Sequence, residues 1–173
     1  MTDANTLYAE HQQAIFRYLC RVVGQAETAR DLTQDVFLRV TRSPLPDADA
    51  AGLRAWVFAI ARNLALNHVR DTRPRMASVE WPHAEPAVQE LAVAIQQALD
   101  ALQDLDRDVF LLRETAGLSY DEIASACGLT VEAVRSRLKR ARQELRAALD
   151  GPVRVHRLRP VSLSGGDRKD GRD

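Results

Sequence analysis

Residues 119–142 read Ser119-Tyr120-Asp121-Glu122-Ile123-Ala124-Ser125-Ala126-Cys127-Gly128-Leu129-Thr130-Val131-Glu132-Ala133-Val134-Arg135-Ser136-Arg137-Leu138-Lys139-Arg140-Ala141-Arg142. Ser119 and Glu122 have the spacing of a capping box, which starts a helix by satisfying two of its free amides. Gly128 falls where that helix must stop and the backbone turn left-handed. Thr130 is placed to cap a second helix. Ala124 is small where the two helices must approach, and Ile123, Leu129, Val134 and Leu138 turn inward together. Val134, Leu138, Ala141, Leu145 and Leu149 repeat at helical spacing. Glu132, Arg135, Ser136 and Lys139 share the opposite face. From 130 to 149 there are six basic residues and two acidic ones, so the exposed side of the second helix is basic. Two short helices with a tight turn between them are expected to place the second in a DNA major groove, the alternative being a solvated amphipathic helix of a bundle.

Outward from this unit, helix periodicity continues and no strand pattern interrupts it. Helices are expected over about 6–23 (Leu7, Ile15, Leu19 and Val22 inward, Gly24 as the stop), 26–41 (Ala29, Leu32, Val36, Val40) and 53–73 (Trp56, Val57, Ile60, Ala61, Leu64, Val69). Three helices of this length close a small bundle. Pro74, Pro82 and Pro86 then punctuate an acidic stretch that reads as a linker. Helix resumes over 88–102 (Leu91, Ile95, Leu99, Leu102) and 107–116, and leads into the helix-turn-helix. The expectation is an all-α chain of two small helical domains, 1–73 and 88–149, joined by a flexible linker over 74–87. A disordered tail over 150–173 follows, rich in glycine, proline and mixed charge.

The charge balance restricts the function. The 24 basic and 24 acidic side chains cancel, so any grip on DNA comes from local patches and from a partner with its own DNA contacts. No apolar run is long enough to cross a bilayer and the N-terminus is not a signal peptide. The expected location is the cytoplasm, where Cys20 and Cys127, far apart and outside any Cys-x-x-Cys, are buried thiols. His11, His68, His83 and His156 have no metal-ligand spacing. Nothing is arranged as a nucleophile with its base or as paired carboxylates. The chain is therefore expected to be no enzyme, with no metal, no cofactor and no small-molecule substrate.

Two further stretches complete a pattern. They are Asp31-Leu32-Thr33-Gln34-Asp35-Val36-Phe37-Leu38-Arg39-Val40 and Leu53-Arg54-Ala55-Trp56-Val57-Phe58-Ala59-Ile60-Ala61-Arg62-Asn63-Leu64-Ala65-Leu66-Asn67-His68-Val69-Arg70-Asp71. With Leu105-Asp106-Arg107-Asp108-Val109-Phe110-Leu111-Leu112-Arg113 and Gly117-Leu118-Ser119-Tyr120-Asp121-Glu122-Ile123-Ala124, they make the chain resemble a bacterial RNA polymerase sigma factor. The type is extracytoplasmic-function, group 4 of the sigma-70 superfamily, and the resemblance covers about 6–149. It implies an alternative sigma factor that binds core RNA polymerase and directs promoter recognition and transcription initiation.

The resemblance also implies a division of labour. Asp31, Gln34, Asp35 and Arg39 would dock on the clamp coiled coil of the beta-prime subunit, with Phe37 adding apolar contact. Arg62, Asn63, Asn67, Arg70 and Arg73 would read and melt the minus-10 element, with Trp56 stacking there or serving the core. The loop over 43–52 would form the pocket for a flipped base. Leu53 stands where the family often has phenylalanine. Arg135, Ser136, Lys139 and Arg140 would read the minus-35 element, with Arg137 and Arg142 on phosphate or in salt bridges. The helix over 107–116 would meet the beta-flap. An anti-sigma partner is implied as well. The competing reading is a stand-alone dimeric helix-turn-helix regulator on a palindrome, which leaves the 31–39 and 54–71 stretches without a task.

Overall fold

The computed structural model describes residues 3–72 and 86–150. The linker, apart from its last two residues, Arg73 and the tail after Asp150 lie outside them. Seven helices follow in order: α1 (Ala4–Val23), α2 (Ala26–Arg42), α3 (Ala50–Thr72), α4 (Pro86–Asp100), α5 (Asp104–Glu114), α6 (Tyr120–Cys127) and α7 (Val131–Asp150). The all-α expectation holds, and most boundaries move by only a few residues. The shifts have local causes. Asp3, rather than Thr6, opens α1, because its carboxylate accepts from the Thr6 amide at 2.8 Å. Asp49 opens α3 three residues early by accepting from the Gly52 amide at 2.8 Å. Gly24 ends α1 with φ 73°, a conformation that only glycine adopts freely.

Helices α1, α2 and α3 pack mutually, and α7 packs on α4, α5 and α6. Leu7, Ile15, Leu19, Val36, Val40, Val57 and Ala61 make the first core; Val109, Leu112, Ile123, Val134, Leu138 and Ala141 make the second. The two cores are not separate. Helix α3 lies on α6 and α1 touches α5, so the buried residues form one continuous cluster. Expected as a tethered pair, the two halves meet face to face.

Helix α5 is the hinge piece of this arrangement. It carries two buried carboxylates two residues apart, and two residues on a helix point to roughly opposite sides. Asp108 turns to the N-terminal half, whereas Asp106 turns to α7. Among α5 residues only Asp104 and Glu114 are exposed. The beta-flap expectation for this helix therefore falls on one whose open residues are Asp104 and Glu114, with Leu105, Arg107, Phe110 and Arg113 half-buried.

Candidate nucleic-acid interface

The turn between α6 and α7 forms as its residues dictate. Ser119 Oγ accepts from the Glu122 amide at 3.2 Å, and a Glu122 carboxylate oxygen accepts from the Ser119 amide at 2.6 Å. Gly128 takes φ 66° and closes α6. Thr130 Oγ1 accepts from the Ala133 amide at 3.2 Å and caps α7. Arg113 supports the loop ahead of α6 by donating to the Leu118 carbonyl at 2.7 Å and by lying over the Tyr120 ring.

On α7, Val134, Leu138, Ala141 and Leu145 are buried. Leu149, read as the end of the same stripe, is 40% exposed, in the last turn of the helix. Arg135, Ser136 and Lys139 face outward together, and among the described residues neither Arg135 nor Lys139 makes an ion pair. The other three arginines of the set are engaged. Arg137 and Arg140 each donate to one oxygen of Asp106, at 2.7 and 3.0 Å. Arg142 donates to Glu114 at 2.7 Å, and its hydrogen bonds to Glu114 and Tyr120 raise its pKa. Arg140, read with the base-contacting group, is thus paired with a carboxylate.

On α3, Asn63, Asn67 and Arg70 are exposed, and Arg70 donates to Asn67 Oδ1 at 3.1 Å. Arg73 falls outside the described residues. Trp56 is half-buried and packs against the core, while Leu53 is buried. Arg62 does not share the open face. It donates through Nε to Asp108 of α5, which also accepts from the Tyr18 hydroxyl at 2.5 Å. Burial disfavours the charge on Arg62, but Asp108 outweighs it and raises the guanidinium pKa. Burial, then the same carboxylate, push the Tyr18 phenol well above its ordinary value. Burial and then Asp108 push the half-buried Cys127 thiol up to about 11, which favours its neutral form at neutral pH. A second clasp lies alongside. Arg54 donates to the Ala116 carbonyl at 2.7 Å and pairs with Glu122 at 3.4 Å, so one glutamate serves both the capping box and the joint.

On α2, Asp31, Gln34, Asp35 and Arg39 are exposed along one side. Phe37 is not with them. It is 6% exposed and meets Tyr8 edge-on, ring centres 4.8 Å apart, because it extends the buried stripe of Val36 and Val40. The exposed apolar residue of that face is Leu38.

Sequence reasoning missed Asp106 and Asp108 as organising acids, and read Glu122 only as half of the capping box and not as the partner of Arg54. Their signal was weak but present: Asp106 and Asp108 border the Val109-Phe110-Leu111-Leu112 run, where an inward position holds a carboxylate only if a cation meets it.

Two family models match the chain, Sigma-70 region 2 over residues 7–75 and Sigma-70 region 4 over residues 92–145. The chain belongs to the extracytoplasmic-function RNA polymerase sigma factors. It is 30% identical over 152 residues to the RNA polymerase sigma factor YlaC of Bacillus subtilis, covering 81% of this chain and 88% of that one. It is 34% identical over 158 residues to the ECF sigma factor SigE of Mycolicibacterium smegmatis, covering 84% of this chain and 61% of that longer one. Among solved structures it is similar to CnrH in complex with the cytosolic domain of CnrY, with a TM-score of 0.67 and 27% identity over 85% of this chain and 87% of that one. Region 2 of the sigma factor thus contains α1–α3, and region 4 contains the helix-turn-helix with the outward Arg135, Ser136 and Lys139. Among the described residues no helix is long and apolar enough to cross a membrane.

Proposed function

We propose that this sigma factor acts in the cytoplasm as a promoter-specificity subunit, without covalent chemistry of its own. Residues 1–73 bind core RNA polymerase and the minus-10 element, and residues 88–149 read the minus-35 element. The observation that carries the reading is the capped helix-turn-helix whose exposed stripe offers Arg135, Ser136 and Lys139 to a groove. Arginine and lysine pair with guanine edges, and a serine hydroxyl serves either donor or acceptor.

The α2 face supports polymerase docking. Asp31, Gln34, Asp35 and Arg39 supply the polar contacts, and Leu38 takes the apolar role that Phe37 cannot. Asn63, Asn67 and Arg70 are the open residues for the minus-10 strand, Asn for base edges and Arg for phosphate. Arg62 joins them only when α3 leaves α5. An anti-sigma protein is the expected inhibitor, as the resemblance to the family implies.

The test is co-elution of the full chain with purified core polymerase, followed by run-off transcription. Asp35→Arg reverses a charge in the middle of the α2 face and is expected to abolish both co-elution and transcript. A normal run-off signal from this variant would remove α2 as the docking face. Absence of co-elution by the native chain, with tight dimeric binding to a palindrome, would replace the sigma reading by the regulator.

A further inference from the structure

Helix α7 carries its cations in two classes, and α5 does the sorting. Asp106 is 1% exposed between the two helices. Each of its oxygens takes one guanidinium, Arg137 at 2.7 Å and Arg140 at 3.0 Å. The Nε of Arg137 is buried without a partner, and among the described residues its guanidinium hydrogen-bonds to Asp106 alone. Arg137 and Arg140 flank the buried stripe of α7 on one side. Arg142 flanks it on the other, held by Glu114 two turns along α5 from Asp106. The exposed stripe of Arg135, Ser136 and Lys139 lies between these tethered flanks.

We propose that Asp106 is a positioning residue for DNA readout, which fixes the rotation of α7 about its axis and turns the guanidiniums of the part-buried Arg137 and the exposed Arg140 away from the phosphates. This rests on the reading of α7 as the minus-35 helix. The physical reasons are two. Base readout depends on which side chains point into the groove, and a turn of the helix by one residue would replace all of them. Free arginines beside a groove add attraction to any phosphate backbone, which strengthens binding without regard to sequence. Specificity is the ratio of specific to non-specific binding. A carboxylate that neutralises one of two flanking cations and immobilises both lowers the denominator of that ratio. Arg135 and Lys139 have no such acid and remain the reading pair.

The experiment measures binding of the full-length chain, assembled with purified core polymerase, to a short duplex of random sequence across a salt series. Asp106→Asn keeps the size of the side chain and removes its charge. It is expected to bind the random duplex more tightly at low salt. The slope of log K against log salt becomes steeper by about 0.9 for each arginine released. Arg140→Gln in the native background leaves the slope where it was, because a guanidinium held on Asp106 makes no phosphate contact and releases no counterion. Arg135→Ala lowers the slope. A folded Asp106→Asn with unchanged or weaker random-duplex binding would overturn the proposal. So would a slope reduced by about 0.9 in Arg140→Gln, the value for a lost phosphate contact. The Arg140→Gln result decides by itself if Asp106→Asn does not fold. An Arg135→Ala assembly indistinguishable from native strikes the DNA reading of α7 itself, and a native chain that does not assemble with core polymerase strikes the sigma reading on which the proposal rests.

Discussion

Helices α3 and α7 carry the two candidate DNA faces, and both were marked in the sequence by arginines at helical spacing. In the folded chain those arginines have different fates. On α3, Arg62 turns into the joint between the halves and is held by Asp108 across it, alongside Arg54, which lay outside the marked set and pairs with Glu122. On α7, Arg137, Arg140 and Arg142 are held within their own half, and Arg135 and Lys139 stay open. A motif places an arginine on a helix. The nearest buried carboxylate then decides whether its guanidinium meets solvent, a neighbouring helix or a ligand. In this arrangement α7 presents its candidate stripe, while Arg62, one of the residues proposed for the minus-10 element, faces protein.

The largest effect is expected where that difference originates. Asp108→Ala leaves the Arg62 guanidinium and the Tyr18 hydroxyl buried without their acceptor. Breaking one side of a buried pair costs about 3–5 kcal/mol, read as loss of stability in denaturant unfolding of the full chain. Small-angle scattering of the same variant is expected to show the halves moving apart. A loss below about 1 kcal/mol, the range of an exposed ion pair, would mean that Arg62 does not depend on Asp108 and that the contrast between α3 and α7 is superficial.

A smaller effect separates the two classes of arginine on α7. Arg135→Ala is expected to lose about 1–3 kcal/mol of discrimination at the minus-35 element when transcription is compared over single-base variants of that element. Equal loss on every variant would make Arg135 a phosphate clamp and erase its distinction from the tethered residues.

The parts of this picture legible in sequence are those set by neighbours along the chain. The capping box, the left-handed Gly128, the Thr130 cap and the buried stripes of α1, α2 and α7 depend on residues within a turn or two. The contacts that decide the site do not. Asp106 meets Arg137 and Arg140 at separations of 31 and 34 residues, and Asp108 meets Arg62 and Tyr18 at 46 and 90. Periodicity contains no record of such pairs, so Arg62 and Arg140 read as free cations. Phe37 was misplaced for a subtler reason. It and Leu38 are adjacent apolar residues at the edge of one stripe, and only the packing of Tyr8 shows which turns inward. Leu91 kept the right period, yet it is 56% exposed, because α4 packs chiefly on α7 and not on a full ring of helices.

The smallest effect tests how far tethering matters when the acid is at the surface. Arg142 and Glu114 are 2.7 Å apart, as close as Arg137 and Asp106, but their side chains are 42% and 44% exposed, against 27% and 1% for Arg137 and Asp106. Distance alone would rank the two pairs equal; burial ranks them apart. In water the charges of an exposed pair are screened and both side chains lose rotamer freedom, so Arg142→Gln is expected to change stability by about 0–1 kcal/mol. Arg137→Gln removes one partner of a buried carboxylate and should cost clearly more in the same denaturant titration. Equal losses would show that geometry, not desolvation, governs how α5 holds its neighbour.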